Sequence, residues 1–159
     1  EKFAKAHGGD YVEVIGSGRG GSPAALQGRE HMTTIPSTKI AAEAAYNMAG
    51  ITAKDVDFAE VHDCFTIAEV VDTEDLGFFG KGQGIQAIRE DRTKLNSDIS
   101  INPSGGLKSK GHPIGATGVG QVVEVYDAGA RTVKDAKIGL THNFGATGAS
   151  CAVHVFQSV

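Results

Sequence analysis

The chain has 159 residues, 40% hydrophobic and 21% charged, with a formal net charge of -4. That length is one domain's worth with room for a core, and the acidic balance argues against a general nucleic-acid binder. No apolar run reaches membrane-span length and no signal-peptide pattern appears. The two cysteines, Cys64 and Cys151, form neither a CxxC nor a disulfide framework, which makes a reducing cytoplasm the default compartment. Two features stand out: the chain begins at Glu1 rather than Met, which suggests a fragment, and it carries 22 glycines and no Trp.

In chain order, Lys2 to His7 reads as the end of a helix, with Gly8-Gly9 as its stop. The β-branched stretch Tyr11 to Ile15 reads as a strand. Gly16-Ser17-Gly18-Arg19-Gly20-Gly21 then contains G-x-G-x-x-G, the dinucleotide fingerprint. Pro23 and an irregular stretch to Pro36 follow where a helix would have to open, so this segment is read as a loop with chance glycines. Ser37 to Ala49 is expected to be a helix with Ser37 as N-cap, an apolar face of Ile40, Ala41, Ala44, Ala45 and Met48, and Gly50 as its end.

Asp57 to Val61 reads as a short strand ending at His62-Asp63-Cys64-Phe65, with a helix from Thr66 to Leu76 behind it. A glycine-rich turn, Gly80 to Gly84, precedes a short helix, Ile85 to Arg89, and the charged run Arg89 to Lys94 reads as solvated surface. Ile99 to Asn102 is a strand leading into Asn102-Pro103-Ser104-Gly105-Gly106, followed by Gly111-His112-Pro113-Ile114-Gly115-Ala116-Thr117-Gly118. Five glycines and two prolines in these 17 residues fix turns and let backbone approach a ligand closely. A helix follows to about Asp127, with Val119, Val122, Val123 and Tyr126 at helical spacing. Ile138 to His142 is a strand, Asn143 to Gly148 a turn, and Ser150 to Phe156 the last strand. There Cys151, Val153 and Val155 alternate with Ala152, His154 and Phe156, so Cys151 reads as a packed thiol and His154 as a structural or rim histidine.

Alternation of strand and helix implies a layered α/β sheet ending in an antiparallel hairpin, whose sites gather beyond the strand C-termini. Three loops qualify, at His62 to Phe65, around His112 and at Asn143 to Gly145. Cys64 near a helix start, after a candidate N-cap at Asp63, is expected to have its pKa lowered by the helix dipole, an effect that a charged Asp63 close by opposes, and could serve as nucleophile or acid/base. A buried thiol at a strand-helix junction fits the same residues. His62 and His112 are candidates for a base or an oxyanion donor, although His112 also fits a surface loop in which it caps a turn. The Gly145 N–H is a candidate oxyanion donor. Metal binding by His62, Asp63, Cys64 and His112 is not expected, because their spacing matches no structural zinc pattern.

Several separate motifs resemble one family. His62-Asp63-Cys64-Phe65 resembles the HDCF motif of sterol-carrier-protein-type and archaeal thiolases. Asn102 to Gly106, Gly111-His112-Pro113 and Gly115 to Gly118 resemble the thiolase NxxGG and GHP signature. Asn143-Phe144-Gly145 stands where degradative and biosynthetic thiolases carry C-x-G. The resemblance covers nearly all of residues 1–159 and implies a thiolase C-terminal domain.

By that resemblance, His112 activates a nucleophilic cysteine and helps hold the thioester oxygen. Cys64 is the acid/base at the α-carbon of acetyl-CoA, and His62 takes the place of an oxyanion-site asparagine. Gly145 belongs to the second oxyanion hole. Asn102, Gly105, Gly106, Gly111, Asn143 and Phe144 would contact the acyl-CoA. The reaction implied is Claisen condensation of two acyl-CoA molecules or the reverse thiolysis, with coenzyme A thioesters as substrates and no separate cofactor. The family nucleophile lies on the N-terminal half, and neither Cys64 nor Cys151 matches its motif. The resemblance therefore implies an absent N-terminal domain or subunit, for which the alanine-rich face of Ser37 to Ala49 is a candidate interface, and a homo-oligomer. Competing readings are a thiolase-fold retro-aldolase or non-CoA acyltransferase, and a non-catalytic lipid-carrier or scaffold subunit.

Overall fold

The computed structural model describes Ala6 and residues 11–158. The expected helix end at Lys2 to His7 and its Gly8-Gly9 stop lie, Ala6 apart, outside the described residues. One five-stranded sheet carries the fold, in the order β1-β5-β4-β2-β3. Its strands are β1 (Val12–Gly21), β2 (Phe58–Glu60), β3 (Ser100–Ile101), β4 (Ile138–Gly145) and β5 (Ser150–Ser158). β2 runs parallel to β3 and β4, whereas β4 and β5 form an antiparallel hairpin and β1 pairs antiparallel with β5. The helices are α1 (Pro36–Ala49), α2 (Thr66–Asp75), α3 (Gly84–Arg89), α4 (Gly106–Lys110) and α5 (Thr117–Arg131). The expected mixed, layered α/β sheet with a terminal hairpin is the one observed.

The segment read as a loop of chance glycines is strand. β1 continues through Gly21, and Gly16, Gly18 and Gly20 share the face that meets α1. A Cβ on these glycines would collide with the carbonyl oxygens of Ala45, Ala41 and Ser37 respectively. Two strand residues advance roughly 6.7 Å and four helix residues roughly 6.0 Å, so a glycine every second residue matches a small residue every fourth. The glycines thus admit a helix backbone to the sheet, and G-x-G-x-x-G here lies within a strand rather than in a turn that opens a helix.

That packing also corrects the expected face of α1. Ala41, Ala42 and Ala45 are buried beside Ser37 and Thr38, whereas Ile40 and Met48 stand in solvent. Ile35 is the N-cap, and Ser37 lies inside the first turn with its hydroxyl donating to Gly148 O at 2.6 Å. Ala41, Ala42 and Ala45 are thus consumed within the domain, whereas Ala44 stands outward with Ile40 and Met48.

The sheet separates two apolar clusters. On the α1 side, Ala41, Ala45, Leu140, Phe144, Cys151, Val153 and Val155 pack together. On the α5 side a smaller group contains Phe58, Val125, Val133 and Phe156. α5 turns Thr117, Gln121 and Val125 inward at spacing i, i+4, i+8, while Val119, Val122, Val123 and Tyr126, the row noted for its helical spacing, lie outward. The charged run after α3 is mostly exposed but anchored: Arg92 pairs with Asp98 at 2.7 Å and its guanidinium lies over the Phe79 ring.

Candidate active site

The end of β2 and the loop after β3 are tied together by polar side chains, which places the site. The Asn102 amide oxygen accepts the Val61 N–H at 2.8 Å and its nitrogen donates to Glu69 at 3.0 Å. Its backbone is left-handed, at φ 48°, a conformation asparagine tolerates better than most residues. Both ends of this amide are spent on holding the loop. Buried Glu60 accepts the Ser104 N–H at 3.1 Å and hydroxyl at 2.7 Å, and pairs with Lys110 at 3.2 Å.

Residues 106–110, expected as loop, wind into the short helix α4. Asp63 does not cap α2. The N-cap of α2 is Phe65, and Asp63 Oδ1 instead accepts the Leu107 N–H of α4 at 2.8 Å. Gly106, with φ 65°, lies so close to the Asp63 carboxylate that a Cβ would sit 2.8 Å from its Cγ. Gly105 and Gly111, with φ 91° and 81°, bracket α4 in positive-φ conformations that glycine adopts without strain.

These ties bring His62 and His112 together. Their rings meet edge to face with centroids 4.9 Å apart, and the Phe144 ring lies 4.6 Å from His62. Cys64, two residues beyond His62, is half-buried. His112 Nδ1 stands 2.7 Å from Thr117 Oγ1, and the Thr117 hydroxyl in turn reaches Pro113 O at 3.2 Å. With the single Thr117 proton given to the carbonyl, Nδ1–H is the donor to Thr117 and His112 Nε2 carries the lone pair. His62 is buried, its Nδ1 has no protein partner among the described residues, and burial together with His112 lowers its pKa to about 4. It is therefore an uncharged imidazole at neutral pH.

The expected lowering of the Cys64 pKa is reversed. Burial raises it most, the Phe65 N–H opposes that, and the nearby Asp63 charge adds to the rise. Cys64 precedes the N-cap residue, outside the first turn of α2, so the helix dipole gives it less help than expected. Cys151 is a packed core thiol on β5, pushed up to about 12 by burial.

The expected turn at Asn143 to Gly148 is largely strand. β4 continues to Gly145, and only Ala146–Gly148 form the 3-10 turn. Side-chain alternation then separates Phe144, on the His62 side, from Asn143, which donates to Gln121 at 3.1 Å on the α5 side. A cavity of about 370 Å³ lies on that second side between Arg19, Gln121, Asn143 and His154, and neither Cys64 nor His112 lines it. Gly145 lies at its edge, at the end of β4.

Sequence reasoning passed over Thr117, Glu60, Glu69, Gln121, Asp72 and His142. Polar residues at Thr117 and Gln121, one turn apart and in line with Val125, were the available signal for two of them. Nothing local marked the rest.

A thiolase C-terminal domain-like family model matches residues 18–158. This chain belongs to that family. It is 47% identical over 151 residues to an acetyl-CoA acetyltransferase of Methanothermobacter thermautotrophicus, covering 92% of this chain and 39% of that protein. It is 40% identical over 134 residues to sterol carrier protein 2 of Bos taurus, covering 80% of this chain and 25% of that protein. Among solved structures, the Ltp2-ChsH2(DUF35) aldolase superposes with a TM-score of 0.77 at 17% identity, over 92% of this chain and 39% of that one; at such identity the likeness is one of fold. The thiolase domain described here spans about two fifths of the length of the acetyltransferases it matches. Among the described residues, no helix is long and apolar enough to cross a membrane.

Proposed function

We propose that this thiolase C-terminal domain is the acid/base half of an acyl-CoA C-acyltransferase catalysing Claisen condensation or thiolysis of 3-ketoacyl-CoA. The contact between His62 and His112, with Cys64 two residues further along the same loop, carries the reading. His112, with its Nε2 lone pair free, takes the proton of a nucleophilic cysteine supplied from outside these residues. Once protonated, Nε2–H donates to the thioester oxygen. In condensation, the Cys64 thiolate removes a proton from the α-carbon of acetyl-CoA, and the negative charge that develops on the thioester oxygen is met by N–H donors. Removing one such donor typically costs about a hundredfold or more. In thiolysis the Cys64 thiol returns the proton to carbon. The raised Cys64 pKa suits this role: it keeps the proton ready for delivery and makes the thiolate a stronger base. Gly145 contributes its N–H to the acyl-enzyme carbonyl, and Asn102, Gly105, Gly106 and Gly111 shape the floor of the acyl-CoA site.

The remainder of a longer chain, or a partner subunit, supplies the nucleophile and covers the outward valines of α5. Val119, Val122 and Val123 on one exposed helix face support this, as does the coverage of only 39% of the acetyltransferase relative. The complete enzyme is proposed to be a cytoplasmic homo-oligomer.

The test is thiolysis of acetoacetyl-CoA by the complete protein, with solvent-proton exchange at the acetyl α-carbon measured alongside. Cys64→Ala is expected to lower exchange by orders of magnitude and acyl transfer to the nucleophile less. Absence of CoA-dependent cleavage by the unsubstituted protein would overturn the assignment in favour of a retro-aldolase or lipid-carrier role.

A further inference from the structure

Beneath the His62 to Cys64 corner lies a buried polar cluster that the chemistry above does not use. Asp72, in the second turn of α2, is 0% exposed, and neither carboxyl oxygen has a hydrogen-bond partner among the described residues. The nearest group able to share a proton with it is His142 Nδ1, 3.6 Å from Oδ2. His142, on β4, is also wholly buried.

The bonds around His142 fix where its proton sits. The His62 backbone N–H points at His142 Nδ1 from 3.4 Å, so Nδ1 must offer a lone pair. The ring proton is then on Nε2, which donates to Thr38 Oγ1 at 2.9 Å, and the Thr38 hydroxyl turns to Cys151 Sγ at 3.7 Å. An ionised Asp72 would face that lone pair with no donor and no water access. Leaving a charge in such a place costs several kcal/mol. The neighbouring carboxylates and thiols argue the same way. Glu69 and Asp75 on α2 and Asp63 at the corner are acids, and Cys64 and Cys151 are thiols whose ionisation an Asp72 charge would oppose.

We infer that Asp72 is a positioning residue that works as an uncharged carboxylic acid, its O–H directed at His142 Nδ1, and that the pair fixes the backbone of the His62 to Cys64 corner without placing a charge beneath the thiol. Burial and the neighbouring carboxylates push Asp72 well above the usual carboxylate range, and burial with the adjacent His62 brings His142 down to about 3. The inference rests on reading that corner as the catalytic site, because its consequence is a Cys64 thiolate that forms without a like charge below it.

Asp72→Asn keeps a neutral donor of the same shape, whereas Asp72→Leu keeps the volume and removes the donor. In the complete protein, the pH midpoint of Cys64 alkylation by iodoacetamide should be the same in the unsubstituted protein and in Asp72→Asn. 15N NMR should show His142 with bare Nδ1 and protonated Nε2 from pH 5 to 8 in both. Thiolysis kcat should fall about tenfold to a hundredfold in Asp72→Leu with KM little changed, and return in Asp72→Asn. A Cys64 midpoint lowered by about one unit in Asp72→Asn would mean that Asp72 is ionised and would overturn the inference, as would a charged His142 imidazolium. If Asp72→Leu fails to fold, the alkylation and NMR results decide alone. Failure of the catalytic reading would appear separately, as α-proton exchange surviving in Cys64→Ala.

Discussion

His112 Nδ1 and Thr117 Oγ1 lie 2.7 Å apart across the first turn of α5, and this contact sets which nitrogen of the imidazole is free for chemistry. Thr117→Val keeps the shape of the side chain and removes the oxygen. General acid–base groups contribute typically ~10²–10⁴-fold, and a wrong tautomer forfeits part of that. The expected outcome is a kcat for thiolysis lowered by on the order of 10- to 100-fold, with Thr117→Ser retaining most activity. Equal activity in Thr117→Val and the unsubstituted protein would detach Thr117 from the site.

Cys64 should behave as a reluctant thiolate. Ordinary cysteine thiols titrate near about 8.5, and burial raises this one. Its alkylation rate should still be climbing where a free thiol has levelled off. A plateau below neutral pH would contradict the burial described here.

The two inner histidines link stability to pH. His62 and His142 have folded pKa values lowered to about 4 and about 3, so the unfolded chain binds protons that the folded one refuses. Their contribution to stability is present above the ordinary imidazole pKa of about 6.5 and is lost as pH falls below it. The raised Asp72 carboxyl acts in the opposite sense, so the clean measurement is a difference. Between the unsubstituted protein and His142→Gln, the gap in unfolding free energy by urea titration should shrink on acidification from pH 6.5 to 4.5, by up to about 1.4 kcal/mol per pH unit. A gap independent of pH would mean that His142 carries a charge in the folded state.

The glycine strand offers an internally controlled test. Gly18→Ala forces a methyl group onto the Ala41 carbonyl, whereas at Gly21 the nearest atom to an added Cβ is 3.9 Å away. Overpacking of this kind typically costs ~1–3 kcal/mol. Gly18→Ala should lower the thermal midpoint by several degrees and Gly21→Ala should leave it nearly unchanged. Equal effects would show that the close helix approach is not what the glycines serve.

What the sequence made legible was local. β2, α2 and the alternation along β5 follow from β-branched runs and helical spacing, and the HDCF and GHP motifs mark the two corners that meet at His62 and His112. What escaped depends on partners remote in the chain. β1 could not be followed past Ile15 because glycines have poor strand propensity, and only α1 laid across them gives them a reason. The inward row of α5 escaped because its valines form a second apolar face, more hydrophobic than the polar row that packs. Asp72 and His142 are 70 residues apart and carry no pattern of their own.

The placement of β1 also bears on how the protein is made. Among the described residues its one neighbour in the sheet is β5, more than a hundred residues downstream. A strand so poor in side chains cannot hold its shape alone, so it waits until the ribosome has released β5. α1, which emerges soon after β1, gains its proper bed only when Cys151, Val153 and Val155 arrive beside the glycines. Closure of this edge is thus a late step, and a nascent chain stalled before Ser150 would expose an unfilled groove to chaperones.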